Sequence, residues 1–319
     1  MWPIVSSVLT VFLIILIGAL GRRVGWLQSS ADQSLARLTT FILVPAFFVD
    51  RILAGELADL SQTWQAPLTG FVTTASGLLL GLLFAKTIGR KWIGLDTDAK
   101  QRSFALAVGI CNYGYIPLPL ADKLYPDAMV TLILHNVGVD LALWSVGVMV
   151  LCGLKAGGWK RVLVNPPLIA AVFALFIKQF LPENSLPPVI MEVAKWLADC
   201  AIPMGLILSG ALMCDYFRSF VQDQQWRGNG RVFLAAVAMR QFAFPVLMLL
   251  IAGGLISSTQ LLEVVSLQAA MPAAIFPIVL ARLYDKDSTI ALQAVLATAT
   301  AAVVLIPAWL SIGRWWFGI

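Results

Sequence analysis

The chain has 319 residues, of which 60% are hydrophobic and only 12% are charged, and its mean hydropathy is +0.87. A soluble globular domain has about 45–50% apolar and about 25% charged residues, so this composition excludes a water-soluble fold. The net charge of +5 does not indicate a nucleic-acid partner, because the Lys and Arg residues are scattered between apolar runs. The apolar runs instead predict a protein embedded in membrane lipid.

Apolar stretches bounded by charged residues, Gly and Pro predict an all-α polytopic membrane protein. A membrane-spanning helix needs about 20 residues, and the alternating segments of a β-barrel are missing from the sequence. The first stretch has no basic segment before it, so we expect it to be a retained span and not a cleaved signal. The ten predicted spans are 4–21, 34–54, 66–88, 102–123, 129–153, 166–181, 189–213, 232–256, 261–283 and 288–312.

The basic residues between the spans are distributed unevenly. Most of them fall on alternate loops, beginning with Arg22 and Arg23 after the first span. Because positively charged loops stay in the cytoplasm, this asymmetry predicts that both termini lie outside. The short loops favour a bacterial cytoplasmic (inner) membrane. The four cysteines lack the spacing of a metal site, and we expect them to pack as small hydrophobic residues.

The two halves of the chain share landmarks in the same order. Arg37 precedes Pro45 by the same number of positions as Lys195 precedes Pro203, and a proline-rich segment follows each at nearly equal distance. Because five is odd, two five-span repeats must be inverted relative to each other, which is typical of secondary transporters. We predict repeats at 1–153 and 166–319, joined by a cytoplasmic loop at 154–165.

Each proline-rich segment is expected to break its helix near the middle of the membrane. Proline removes a backbone hydrogen bond and clashes with the preceding turn. Unwound backbone is tolerated in a membrane only inside protein or beside a watered cavity. Broken helices at matching positions are therefore the best sequence indication of a solute site. The segments are NYGYIPLP, with Asn112, Gly114, Pro117 and Pro119, and QAAMPAAIFP, with Gln268, Pro272 and Pro277.

Asn112 and Gln268 place neutral amides beside the two predicted breaks. The second half of a broken helix offers free N–H groups and the positive end of its dipole. Together with amide donors, these groups suit a carboxylate, while neutral and zwitterionic solutes are also compatible. The simpler interpretation is that both amides only cap the broken helix ends.

Several ionisable residues fall within predicted spans, where a charge at the helix centre costs about 2.5–3.5 kcal/mol on insertion scales. Asp140 has no local partner in the sequence and is a candidate proton carrier or cation site. Lys195 and Asp199 are four positions apart on one helix face, which permits either a structural ion pair or a role in coupling or charge balance. His135 is expected at the membrane interface. The others are Arg37 and Arg240.

These motifs resemble the auxin efflux carrier family, which contains the plant PIN-formed carriers and many bacterial permeases. LTTFILVPAFF, NPPLIA and IPMGLILSGAL resemble the family's second, sixth and seventh helices. NYGYIPLP and QAAMPAAIFPIVLARLY resemble its two crossing segments. The resemblance covers essentially the whole chain. Pro117 departs from the small residue that many bacterial members have there, so the identity of the solute is not carried over.

The resemblance implies ten transmembrane helices as two inverted five-helix repeats, with crossed broken helices at spans 4 and 9. It also implies elevator-like alternating access, a homodimer, and a small organic anion such as an auxin-like carboxylate as the substrate. No resident cofactor or metal is expected, and a proton or sodium ion is the candidate coupling ion. The candidate substrate contacts are Asn112, Tyr113, Gly114, Pro117, Pro119, Gln268, Pro272 and Pro277; the candidates for coupling or charge balance are Asp140, Lys195 and Asp199.

Other functional classes fit the sequence less well. An intramembrane enzyme would need convergent catalytic groups, but the sequence has one histidine and no HExxH, GxSxG or GxGD motif. There is no phosphate-binding P-loop for ATP-driven transport. A channel, or an ion-coupled carrier of a neutral or cationic solute, is the alternative to an organic-anion carrier.

Overall fold

The computed structural model describes residues 2–54, 64–153, 166–182, 186–222 and 230–319. Within these ranges the chain is helical and has no strand; a single isolated bridge pairs Cys111 with Ala273. The all-α prediction is confirmed, and the predicted loop at 154–165 lies outside the described residues. The helices are α1 (Trp2–Arg23), α2 (32–54), α3 (Gln65–Ile93), α4 (Asp98–Gly109), α5 (Pro117–Leu124), α6 (Pro126–Cys152), α7 (Pro166–Phe180), α8 (Pro188–Gln222), α9 (Gly230–Leu255), α10 (Thr259–Ala269), α11 (Phe276–Leu283) and α12 (Ser288–Phe317).

Six of these helices are long and apolar enough to cross a membrane. They are α1, α3, α6, α8, α9 and α12, judged by length and composition. This result confirms a protein with several membrane spans. The count of ten spans stays a prediction, and the fourth and ninth predicted spans are each found as two helices, α4 with α5 and α10 with α11.

Side-chain caps fix the starts of three helices: α4 and α10, which lead into the two breaks, and α12. Thr97 accepts a hydrogen bond from the backbone N–H of Lys100 at the start of α4, and Ser258 accepts one from Leu261 at the start of α10. Asp287 accepts from two N–H groups in the first turn of α12. Such caps satisfy N–H groups that have no partner within the helix. The two broken segments therefore begin in the same way.

The helices pack in two groups. The first group consists of α1, α2, α7 and α8, and the second consists of α3–α6 and α9–α12. In the first group α1 and α8 cross in backbone contact, because a side chain at Gly18 would collide with the carbonyl of Ile207. A side chain at Gly210 would likewise collide with the carbonyl of Ile15. Small residues allow this close approach between helices in a membrane protein.

In the second group, α3 and α6 also approach closely at glycine residues. Gly70 lies against the carbonyl of His135, and Gly138 lies against the carbonyl of Pro67. The His135 side chain is buried in this packing, with 1% of its surface exposed. His135 is therefore covered by protein, because the face of α6 that carries it packs against α3, and its expected position at the membrane interface stays a prediction.

The outer faces of the helices remain apolar. On α7, for example, Ile169, Phe173, Phe176 and Phe180 follow one another at helical spacing and are all exposed. In water such a surface would be unfavourable, whereas in a bilayer it contacts acyl chains. The exposed faces and the buried polar centre described below therefore fit one arrangement, with lipid outside and a polar site inside.

Candidate functional site

The first break separates α4 from α5. The helix ends at Gly109, and Ile110 has extended backbone angles of φ −110° and ψ 119°. Pro117 opens α5, and Pro119 also lies in its first turn. Proline is well placed there because the first N–H groups of a helix have no acceptor within it. The sequence therefore both ends the first half-helix and starts the second.

The second break separates α10 from α11. The first half ends at Ala269, and the second begins at Phe276 with Pro277 in its first turn. Pro272 lies in the unwound stretch between them. The predicted interruptions are therefore found at both places.

The two breaks are joined to each other by backbone hydrogen bonds. The N–H of Asn112 donates to the carbonyl oxygen of Pro272 at 2.7 Å, and the N–H of Ala274 donates to that of Ile110 at 3.0 Å. These bonds form the isolated antiparallel bridge between Cys111 and Ala273. Backbone groups freed by each break are thus satisfied by the other break, as a membrane interior requires.

A buried network of amides lies behind this bridge. Gln268 is fully buried, and its Nε2 donates to Oδ1 of Asn136 at 2.9 Å and to the carbonyl oxygen of Tyr113 at 3.4 Å. Asn136 Nδ2 donates to the same Tyr113 oxygen at 2.8 Å. The Cys111 thiol donates to Gln268 Oε1 at 3.4 Å. The Gln268 amide is therefore engaged by protein groups at both of its ends.

Asp140 lies beside the first break. The hydroxyl of Tyr113 donates to its Oδ1 at 2.6 Å. The sequence shows no local partner for Asp140, and the partner comes from the distant broken segment. A carboxylate is thus held directly at the unwound backbone.

Asn112 differs from Gln268 in its surroundings. Its side chain is half-buried, and it makes no hydrogen bond to any part of the chain that the structure describes. Gly114 is also half-buried, and a Cβ added there would meet no atom within 4 Å. The first break therefore presents an unengaged amide beside open space.

A buried arginine lies at the second break. Arg240 of α9 is 3% exposed; its Nε donates to the carbonyl oxygen of Met271 at 3.0 Å and its Nη2 donates to that of Gln268 at 3.1 Å. These carbonyls belong to the end of α10 and the residues after it. The guanidinium therefore binds the negative end of this half-helix.

Thr298 of α12 supports the second break from the other side. Its Oγ1 accepts from the N–H of Ala273 at 3.1 Å, and its carbonyl oxygen accepts from Gln241 Nε2 at 3.2 Å. Trp309 Nε1 donates to the carbonyl oxygen of Gln241 at 2.6 Å. The unwound backbone is thus fixed by side chains from α9 and α12.

The other charges predicted within spans are not in this network. Lys195 and Asp199 are both exposed on α8, and no ion pair joins them among the described side chains. Arg37 is exposed on α2. The geometry therefore brings Asp140 and Arg240 to the breaks and leaves Lys195 and Asp199 in the first group of helices.

A metal centre is not formed by the described part of the chain, where no three His, Cys, Asp or Glu residues are grouped to hold an ion. The polar site consists of amides, hydroxyls, backbone groups, the Asp140 carboxylate and one guanidinium. Such groups bind and orient a polar solute through hydrogen bonds.

Comparison with known proteins decides the family. A family model described as a membrane transport protein matches residues 3–158 and 154–310, which is nearly the whole chain. The chain belongs to the auxin efflux carrier family. The resemblance inferred from the motifs is confirmed, and the protein is a multi-pass membrane protein of a transport family.

Two archaeal relatives match this auxin efflux carrier family member over its full length. An uncharacterized transporter of Methanothermobacter thermautotrophicus is 23% identical over 310 residues, covering 95% of this chain and 96% of the relative. An uncharacterized transporter of Methanocaldococcus jannaschii is 22% identical over 309 residues, with the same coverage. These similarities extend across both breaks and both groups of helices.

Sequence reasoning about this member of the family missed part of the site. Asn136 and Thr298 lie in apolar spans without a nearby proline, and Gln241, although four positions before Pro245, belongs to none of the predicted breaks. Arg240 was detectable as a charge within a span, but its contact with α10 depends on tertiary packing. A useful signal for the others is a hydrogen-bonding residue within an otherwise apolar helix, since such a residue needs a buried partner.

Proposed function

We propose that the chain is a secondary transporter that moves a small organic anion, such as a carboxylate, across the cytoplasmic membrane. The observation that carries this proposal is the unengaged, half-buried amide of Asn112 at the point where two helix breaks are hydrogen bonded. Paired broken helices position solutes near the midplane in transporters. The family assignment favours transport over an enzymatic reaction.

The balance of donors supports an anion. The carbonyls of Tyr113, Gln268 and Met271 already accept hydrogen bonds from protein side chains. By contrast, the Asn112 amide has donors to spare, and the starts of α5 and α11 carry the positive ends of helix dipoles. The guanidinium of Arg240 adds a full positive charge close by. A carboxylate would meet these donors on entering the site, whereas a cation would find the carbonyls of Tyr113, Gln268 and Met271 already holding side-chain donors.

The candidate contacts divide by role. We propose that Asn112, Tyr113 and Gly114 face the solute, since all three are half-buried. Gln268 is fully buried, and its proposed contribution is to hold the Tyr113 carbonyl and Asn136 in position. Pro117, Pro119, Pro272 and Pro277 keep the breaks unwound.

Movement by an elevator-type mechanism is supported by the two groups of helices. Both breaks belong to the second group, while α1, α2, α7 and α8 pack mainly with one another. At one point of the boundary between the groups, the ring of Tyr115 lies against Gly205 of α8. We propose that the second group carries the solute past the first group, which stays fixed, with the Tyr115–Gly205 contact sliding during transport.

The proposed topology has both termini outside and two inverted five-helix repeats, 1–153 and 166–319, assembled as a homodimer. The matched positions of the two breaks and the similar caps of α4 and α10 support the repeat. The uneven distribution of Lys and Arg supports the orientation.

Asp140 is the proposed proton carrier. It is held by Tyr113 at the solute site, so its charge would be felt directly by a bound anion. Lys195 and Asp199 lie on the other group of helices, and their proposed contribution is limited to charge balance along the path.

The test is thermal stabilisation of the purified protein by a panel of carboxylates, including indole acetate and dicarboxylates, with amides and amines of similar shape as comparison compounds. A ligand that binds only the folded protein raises the melting temperature. We expect a carboxylate to stabilise wild type and the exposed-amide control Gln33→Ala, and to lose its effect in Asn112→Ala and Asn112→Asp. Stabilisation by amines alone, or strengthened by Asn112→Asp, would refute the anion assignment.

A further inference from the structure

The buried guanidinium of Arg240 occupies an unusual position for a permanent charge. Its α9 backbone passes through a π-helical turn at Met239–Ala243, where Arg240 and the adjacent Gln241 are both buried. In a regular α-helix adjacent residues point about 100° apart, so the wider turn helps both side chains face the protein interior. Arg240 then bonds to the backbone at the second break, and Gln241 bonds to the carbonyl oxygen of Thr298 within α12.

No carboxylate neutralises this charge within the described residues, where every ion pair involves other side chains. The compensation comes from backbone dipoles, since the guanidinium bonds the carbonyls of Gln268 and Met271. Removing a charge from water is costly unless hydrogen bonds and opposite charge replace the solvent. A positive charge without an ion-pair partner among the described residues therefore persists behind the solute-binding face.

In ion-coupled transporters, the carbonyls at the end of a first half-helix and in the unwound stretch are the groups that coordinate a sodium ion. Here those carbonyls are the acceptors of Arg240. A sodium ion needs several oxygen ligands and would have to displace the guanidinium to reach them. The positive charge at this position is supplied by the chain itself and is not taken up from solution with the solute.

We propose that Arg240 is a fixed cation in the place of a coupling sodium ion, so that anion binding at the breaks requires the guanidinium and not sodium. This inference rests on the proposed organic-anion transport for its functional consequence. Arg240 acts as a positioning and charge-balancing residue, because it donates hydrogen bonds to the backbone of α10 and of the residues after α10.

The first test needs no solute. Melting temperatures are measured in sodium chloride, potassium chloride and choline chloride at equal ionic strength for wild type, Arg240→Lys and Arg240→Met. Methionine has a similar length but removes both guanidinium donors, so the Gln268 carbonyl keeps the backbone N–H of Met271 and the Met271 carbonyl loses its side-chain donor. We expect no sodium-specific shift for wild type or the Lys variant, and a sodium-specific rise of at least about 2 °C for the Met variant.

Two results would overturn the proposal. One is a sodium-specific stabilisation of wild type, which would show that sodium binds with the guanidinium in place. The other is a folded Arg240→Met protein that does not respond to sodium. If the Met variant does not fold, Arg240→Gln takes its place. The melting temperature of wild type in sodium chloride still shows whether sodium binds with the guanidinium in place.

The second test uses the carboxylate that most stabilises wild type. Replacing sodium by choline should leave its affinity for wild type unchanged. In choline, Arg240→Met should bind it at least about tenfold more weakly, with partial recovery in sodium, and Arg240→Lys should retain most of the affinity. Sodium-dependent binding to wild type would overturn the inference. If no carboxylate binds at all, the proposed substrate class fails, and the sodium response of Arg240→Met still decides the role of Arg240.

Discussion

The side-chain amide of Gln268 donates to Oδ1 of Asn136 at 2.9 Å, and this bond ties α10 of one broken helix to α6. Both amides also donate to the carbonyl oxygen of Tyr113 in the other broken helix. Three separate segments of the chain therefore meet at a single backbone oxygen. The site is held by long-range polar contacts as well as by its prolines.

This relationship predicts strong coupling between Asn136 and Gln268. Removing one amide leaves the other buried without its partner, at a cost of about 1–3 kcal/mol. Asn136→Leu and Gln268→Leu should each lower the melting temperature, and the double variant should lose less than the sum of the two. Thermal unfolding in detergent measures the three values. Strictly additive losses would show that the pair does not act as a unit.

The bond between Tyr113 and Asp140 predicts separate effects on coupling and binding. Asp140→Asn removes the ionisable group but keeps an acceptor for the Tyr113 hydroxyl. We expect the variant to bind the carboxylate probe yet to lose accumulation driven by a pH gradient in proteoliposomes. Asp96→Asn is the matched control because Asp96 is exposed just before α4, outside the site. Normal pH-driven accumulation by Asp140→Asn would remove Asp140 from the coupling mechanism.

The close crossing of α1 and α8 predicts a position-dependent response to added volume. Gly210→Leu places a side chain against the carbonyl of Ile15, whereas a side chain at Gly254 on α9 meets no atom within 4 Å. Overpacking typically costs about 1–3 kcal/mol, and backbone collision places Gly210 at the upper end. Gly210→Leu should lower the melting temperature clearly, and Gly254→Leu should leave it nearly unchanged. Equal melting temperatures for the two variants would contradict the observed crossing.

The contact between Tyr115 and Gly205 predicts a defect in transport. A methyl group at Gly205 would collide with the Tyr115 ring at the boundary between the two groups of helices. Gly205→Ala should slow solute exchange about tenfold or more if this contact slides during transport, while Tyr115→Ala in the same protein should restore part of the rate. Gly254→Ala serves as the control. Unchanged exchange by Gly205→Ala would separate this contact from the transport movement.

The sequence predicted local features of the protein better than distant ones. The effect of proline on a helix is local, so Pro117 and Pro277 predicted helix breaks. The structure has these breaks immediately before α5 and α11. The bond from Asn112 N–H to the Pro272 carbonyl joins residues far apart in the chain, and no local pattern reports it. The same holds for Asn136, which is fixed only by tertiary packing.

Charge was predicted less well than the helix breaks. The spacing of Lys195 and Asp199 permitted an ion pair, but both side chains are exposed and do not pair with each other within the described residues. His135 was assigned to the interface from its place in the span, and its burial, where Gly70 allows α3 to approach closely, was not predicted. Helix periodicity predicts which face of a helix carries a residue, but it does not predict which neighbouring helix covers that face.

The central claim is best tested by solute exchange in proteoliposomes. Vesicles preloaded with the unlabelled carboxylate that most stabilises the protein are given the radiolabelled form outside. We expect saturable, temperature-sensitive uptake driven by exchange for wild type and Gln33→Ala, and uptake at the level of empty vesicles for Asn112→Asp. Absence of exchange for every stabilising carboxylate, or wild-type exchange by Asn112→Asp, would contradict transport of an organic anion at the paired helix breaks.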